Sequence, residues 1–177
     1  MKASMKPSAL LRGLPGHPLH PPLTDGAIGS YTAAAVLACV GAAGIAEESL
    51  AKGWWLALVI GLGFSALAAV TGLVDWLSIT RGTPLWWTAT THLVVMVGAN
   101  VLFALAAIFG HAGYVDGEIG TGALVLVLVG FVTLAVGGWL GGSIVFVHGM
   151  RVLNLPEEPA LSAMAPGGEE KSRAEAG

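Results

Sequence analysis

The chain has 177 residues, 55% of them hydrophobic and only 11% charged, with a formal net charge of −3. Together with a mean hydropathy of +0.77, this lies far from the composition of soluble domains and makes lipid the solvent for most of the chain. Nothing in the charge distribution resembles a nucleic-acid footprint, and a single cysteine, Cys39, excludes a disulfide framework, a CxxC zinc or redox site and a CxxCH haem attachment.

Met1 to Arg12 carries Lys2, Lys6 and Arg12 but no apolar core, so it does not read as a signal peptide. Residues 1–15 are expected to be a flexible cytoplasmic lead-in. Next comes Gly16-His17-Pro18-Leu19-His20-Pro21-Pro22-Leu23-Thr24-Asp25, two histidines and a carboxylate held among prolines. Four apolar runs follow, about Gly26 to Ala46, Trp54 to Leu77, Trp87 to Gly110 and Thr121 to Val147. Each reaches the roughly 20 residues that cross about 30 Å of hydrocarbon at 1.5 Å per residue. Trp54-Trp55 opens the second run and Trp86-Trp87 the third, as an interfacial aromatic belt predicts. Cys39, inside the first run, reads as a small buried hydrophobe. Short connections make successive helices antiparallel neighbours. The fold class is therefore all-α: a polytopic membrane protein, an antiparallel four-transmembrane-helix bundle over residues 16–153. From residue 154 to 177, Pro156-Glu157-Glu158-Pro159 and a run rich in Ala, Ser, Gly and Glu predict a disordered tail.

Arg12, Arg81 and Arg151 fall on the side of the bundle that holds the N-terminus, and only Lys52 on the other. The positive-inside rule then places both termini in the cytoplasm.

Placing the polar residues by side gives the main expectation. His17, His20 and Asp25 precede or open the first helix, Asp75 lies near the end of the second, His92 near the start of the third, and His148 at the end of the fourth. All belong to the N-terminal side, with Asp75 and His92 about 9 Å inside their interfacial markers and His148 about 4–5 Å. Of the five histidines only His111 is on the opposite side. An ionisable group within a span is a functional candidate by default, because burying it unpaired costs several kcal/mol. Each also has a structural reading. His17 and His20 suit an interfacial loop, and Asp25 suits a helix N-cap. Asp75 has Thr71, one turn deeper, or His92 as a partner, His148 is shallow enough to snorkel, and Asn100 suits an interhelical hydrogen bond.

Gly130, Gly137, Gly141 and His148 share one face of the fourth helix, and Gly137-Gly138 with Gly141-Gly142 form two overlaid GxxxG patterns. The face suits either close helix approach or a flat cofactor such as haem with His148 as axial ligand.

Gly16-His17-Pro18-Leu19-His20-Pro21, Leu23-Thr24-Asp25 with Ile28-Gly29, Gly72-Leu73-Val74-Asp75-Trp76, His92, and Gly138-Trp139-Leu140-Gly141-Gly142 with His148-Gly149 together resemble a family of bacterial membrane proteins, domain of unknown function 2231, over about Gly16 to Leu153. The resemblance implies a four-span domain in the bacterial inner membrane, sometimes joined to a Rieske iron–sulfur domain, which hints at redox work. Many relatives carry histidine where this chain has Asp25, and again where it has Ser143. If those positions are ligands, this chain has lost or changed both.

Three function classes remain open. The histidine layer binds haem b or a transition-metal ion, with His17, His20, His92 and His148 as candidate ligands and Asp75, Asp25, Thr71 and Ser143 as orienting or proton-exchanging groups. Alternatively, Asp75 and His92 exchange protons with a quinol walled by Trp76, Trp86 and Trp87. In the third class the layer is a hydrogen-bonded plug, and the protein anchors or helps assemble a soluble or membrane redox partner, or pairs with a second copy of itself. No nucleophile–base pair, phosphate loop or HExxH occurs, so hydrolase chemistry has no support.

Overall fold

The computed structural model describes residues 11–14 and 16–164; most of the expected lead-in and the tail beyond Met164 lie outside them. A small hairpin, β1 (Gly13–Leu14) and β2 (His17–Pro18), leads into four long helices, α1 (His20–Ala42), α2 (Glu47–Trp76), α3 (Pro84–Asp116) and α4 (Thr121–Phe146). A single exposed turn, α5 (Ala160–Ala163), follows. In the hairpin Gly13 pairs with Pro18 and Leu14 with His17. Gly13 has φ +80°, and a Cβ there would lie 2.4 Å from the His17 carbonyl oxygen, so only glycine fits.

The four helices match the four apolar runs, but three of them start earlier than hydropathy alone predicts. α1 begins at His20 rather than Gly26 because Pro21 and Pro22 occupy its first turn, where no N–H is needed and φ is already helical. The proline stretch is thus a helix start, not a loop. Asp25 is exposed inside α1, and the residue preceding the helix is Leu19, so Asp25 is not an N-cap. α2 gains two turns through Glu47 and Glu48 in its first turn, which complement the helix dipole, and Glu48 pairs with Lys52 at 2.7 Å. α3 begins where Thr83 Oγ1 accepts from the Trp86 N–H at 3.2 Å and stops at the left-handed Gly117. His111 therefore stands on this helix, not in a loop.

α1 packs chiefly on α2, and α3 on α4; the two hairpins join through α2–α3 and α1–α4. The pairing is antiparallel throughout. The Tyr31 ring lies against Gly61, Trp54 of α2 against Gly110 of α3, and Phe103 of α3 against Gly130 of α4. Buried positions recur at steps of three and four, as in Ala51, Trp54, Leu58, Gly61, Ser65 and Ala68 of α2 or Ala123, Val127, Gly130, Leu134 and Gly137 of α4. That spacing belongs to left-handed bundles, and small residues on it let backbones approach closely.

The outward faces are apolar: Ile60 and Leu67 on α2, Val97, Val101 and Ile108 on α3, Val132 and Trp139 on α4. Four helices are long and apolar enough to cross a membrane, and their exposed faces suit lipid. Two expectations about burial are corrected. Cys39 faces outward, because Ala35 and Ala38 take the inward stripe of α1. Trp54 is not interfacial but fully buried, leaving Trp55 to donate its indole N–H to the Ala107 carbonyl at 2.8 Å.

Midway along the bundle the Tyr31 hydroxyl donates to Asn100 Oδ1 at 2.7 Å and lies 3.0 Å from Ser65 Oγ, tying α1, α2 and α3 together. The Tyr31 ring stacks on Phe103 with centroids 3.8 Å apart.

Candidate functional site at one end of the bundle

The antiparallel order returns the start of α1, the end of α2, the start of α3 and the end of α4 to one end, called the near end. His20, Asp75, His92 and His148 all lie there, each with a different partner.

His20, the first residue of α1, turns its ring onto α2. Its Nδ1 donates to the Ala68 carbonyl at 2.9 Å and lies 3.3 Å from Thr71 Oγ1. Thr71, whose own hydroxyl bonds back to the Ala68 carbonyl at 3.0 Å, is thus a partner of His20 rather than of Asp75. The ring sits over Gly72, where a Cβ would come within 2.7 Å of His20 Cε1. A backbone without a side chain is what allows the imidazole to lie this close.

His92, on the third turn of α3, repeats the arrangement against α4. Its Nδ1 donates to the Gly137 carbonyl at 2.9 Å. A Cβ at Gly141 would lie 3.2 Å from His92 Cε1. Neither His20 Nε2 nor His92 Nε2 has a hydrogen-bond partner among the described residues.

Asp75 is buried and ion-paired with neither Thr71 nor His92 but with Arg151, beyond the end of α4. This corrects the expected partners, and the reason is topological. The chain after α4 turns back across the near end and brings a guanidinium to the carboxylate, which meets the cost of burying it better than a hydroxyl would. His148 does not simply snorkel: its Nε2 bonds Thr88 Oγ1 of α3 at 3.0 Å.

The remaining candidates are peripheral. His17 is exposed on β2 opposite Leu14, and Asp25 is exposed on α1. Ser143 Oγ donates to the Trp139 carbonyl of its own helix at 3.1 Å. Trp76 donates its indole N–H to Thr90 Oγ1 at 2.9 Å and lies 6.1 Å from Trp86, which in turn meets Trp87 edge-on at 4.7 Å. Trp87 is largely exposed. The glycine face of α4 is occupied by α3 side chains: Phe103 at Gly130, Met96 at Gly137 and His92 at Gly141. Among the described residues no three His, Cys, Asp or Glu side chains are grouped to hold a metal ion.

Sequence reasoning missed Arg151 and Thr88 as partners, and Tyr31 as the centre of a buried polar junction. Tyr31 was visible as a lone phenol among alanines. The role of Arg151 depends on a turn that no periodicity signals.

Architecture and exposure define an integral membrane protein of four packed spanning helices, with His20, Asp75, His92 and His148 at one end. The chain belongs to the family described as "Predicted membrane protein (DUF2231)", whose model matches residues 16–154. No curated protein and no solved structure matches it.

Proposed function

We propose that the near end holds a haem b between His20 and His92, and that the protein is an electron-transfer subunit of the bacterial inner membrane. The observation supporting this is the orientation of the two rings. Each donates Nδ1–H to a carbonyl of a neighbouring helix and leaves Nε2 without a partner. A ligating imidazole almost always has its other nitrogen fixed in this way, which selects the tautomer and raises ligand basicity. The rings come from α1 and α3, and histidines on facing helices are the common way for a bundle to hold a cofactor. His20 and His92 are the residues that would hold the haem. A lone metal ion would want a third or fourth protein ligand. Haem, when bound, supplies one-electron chemistry. The chain's own residues orient the imidazoles through the Ala68 and Gly137 carbonyls.

Arg12, Arg81 and Arg151 at the near end, against Lys52 at the other, support a cytoplasmic near end with both termini inside. Electrons would then be exchanged with a soluble or membrane redox partner on that face.

The test is the absorption spectrum of the detergent-purified protein. The expected result is a Soret band lost in His20→Ala and in His92→Ala but kept in His111→Ala. Metal at stoichiometric amounts without a Soret band would replace haem by a metal ion. A colourless, metal-free protein that stays folded would sink both.

One alternative has its own support. His20, His92, His148 and Asp75 each bond across to another helix or to the segment after α4, which is what a structural plug in a membrane anchor or assembly subunit would need. In that case His20→Ala and His92→Ala lose thermal stability without any spectral change. The quinol reading loses its basis, because Asp75 is engaged by Arg151 rather than facing His92.

A further inference from the structure

The segment after α4 touches three separate elements in turn as it crosses the near end. His148 bonds Thr88 at the start of α3. Arg151 pairs with Asp75 at the end of α2. Leu153 Cδ1 lies 3.4 Å from where a Cβ at Gly16 would stand, in the hairpin before α1. The path needs an unusual backbone. Gly149 has φ +66°, Arg151 φ +64° and Asn154 φ +51°. Asn154 is of a type that visits this region readily, but Arg151 keeps a left-handed conformation only where its surroundings over-determine it. For Arg151, the constraint in view is its ion pair: the side chain is 35% exposed, whereas that of Asp75 is 11% exposed. Up to Met150 the segment still bonds back to the last turns of α4: the Val147 and His148 N–H groups donate to the Ser143 carbonyl at 3.0 and 3.1 Å, Gly149 N–H to the Val145 carbonyl at 3.1 Å and Met150 N–H to the Ile144 carbonyl at 3.1 Å. From Arg151 to Asn154 the backbone bond among the described residues is that of Val152 N–H to the Gly149 carbonyl at 3.2 Å, so side chains hold this part of the segment.

We propose that residues 147–154 form a strap that closes the near end of the bundle, latched by the Asp75–Arg151 ion pair and seated by His148 on Thr88. The strap joins α3, α2 and the β1–β2 hairpin, so it opens as one unit with the hairpin and admits water or a redox partner to the layer that His20 and His92 occupy. The device does not depend on haem. A strap over an empty plug and a strap over a cofactor use the same contacts.

Its test reads the strap directly. Carbethoxylation of His148 by diethyl pyrocarbonate, followed by mass spectrometry, reports whether its Nε2 has left Thr88; His111, exposed at the other end, is the internal control. Amide hydrogen exchange over residues 11–20 and 147–154 reports the two parts of the closure. Arg151→Ala should speed His148 labelling by about fivefold or more, the change in open population expected for losing one modest interaction. It should speed exchange in both segments and leave His111 and the loops at residues 43–46 and 117–120 unchanged. Arg151→Lys, which keeps a cation, should restore slow labelling in large part. Unchanged His148 labelling in Arg151→Ala overturns the latch. Faster labelling and exchange everywhere overturns the strap as a separate unit, since the variant would then be loosening the whole bundle. Exchange that rises in 147–154 but not in 11–20 overturns the joint closure. None of these readouts needs a Soret band, so the strap and the haem assignment stand or fall separately.

Discussion

Two glycines on different helices show how much a single hydrogen can decide. At Gly72 a methyl group would meet the His20 ring at 2.7 Å, and the ring cannot retreat without leaving the Ala68 carbonyl. At Gly138 on α4 a methyl group would meet nothing within 4 Å. Gly72→Ala should therefore lower stability by about 1–3 kcal/mol, the usual range for overpacking. Gly138→Ala should be neutral or raise it by up to about 1 kcal/mol by restoring helix propensity. Thermal unfolding of both variants in the same detergent checks the contrast, and equal losses would mean that His20 is not held as described. These two glycines look alike in the sequence, both within glycine-rich apolar runs. Only the azimuth of each on its helix, and the ring that happens to face it, separates them.

At the scale of a helix, the α1 stripe Ala27, Tyr31, Ala34, Ala35, Ala38 is small except at its centre, where Tyr31 binds Asn100 and Ser65. Tyr31→Phe keeps the stack on Phe103 and removes only the hydrogen bonds. Such bonds within membrane bundles are worth about 0.6 kcal/mol on average and up to roughly 1.7. A cycle of Tyr31→Phe with Asn100→Ala should return a coupling within that range; a coupling of zero would show that the junction adds nothing. Helix identity was readable from hydropathy because each span must satisfy its backbone internally and present apolar side chains outward. Helix starts were less readable. Pro21-Pro22 and Glu47-Glu48 are poor in hydropathy yet good in the first turn, so a search for apolar runs begins both helices too late. The side to which each histidine belongs followed from counting crossings. Its partner did not, since a carbonyl such as that of Gly137 carries no signature in the residue alphabet.

Among the described residues of the molecule, the buried ones lie on the four long helices and in the loop at 117–119, and α5 contains none. A chain ended after Leu155 should unfold within about 0.5 kcal/mol of the full one, as expected where no buried contact is lost. A larger loss would mean that the last residues dock on the bundle. The ion pair between Asp75 and Arg151 was the least legible feature at this scale. It joins positions 76 apart in sequence, and it forms only because a left-handed turn reverses the chain after α4.

The unequal helices carry one more consequence. α1 has 23 residues and α3 has 33, so they measure about 35 Å and about 50 Å against a hydrocarbon thickness of about 30 Å. α3 must lean or protrude. With Trp55, His111 and Tyr114 clustered beside its last turns, polar-tipped rings mark a broad shoulder where headgroups can sit at more than one height. Mismatch with the surrounding lipid costs only fractions of a kcal/mol per Å. A protein with that shoulder can settle into thin and thick membranes alike without disturbing the opposite rim.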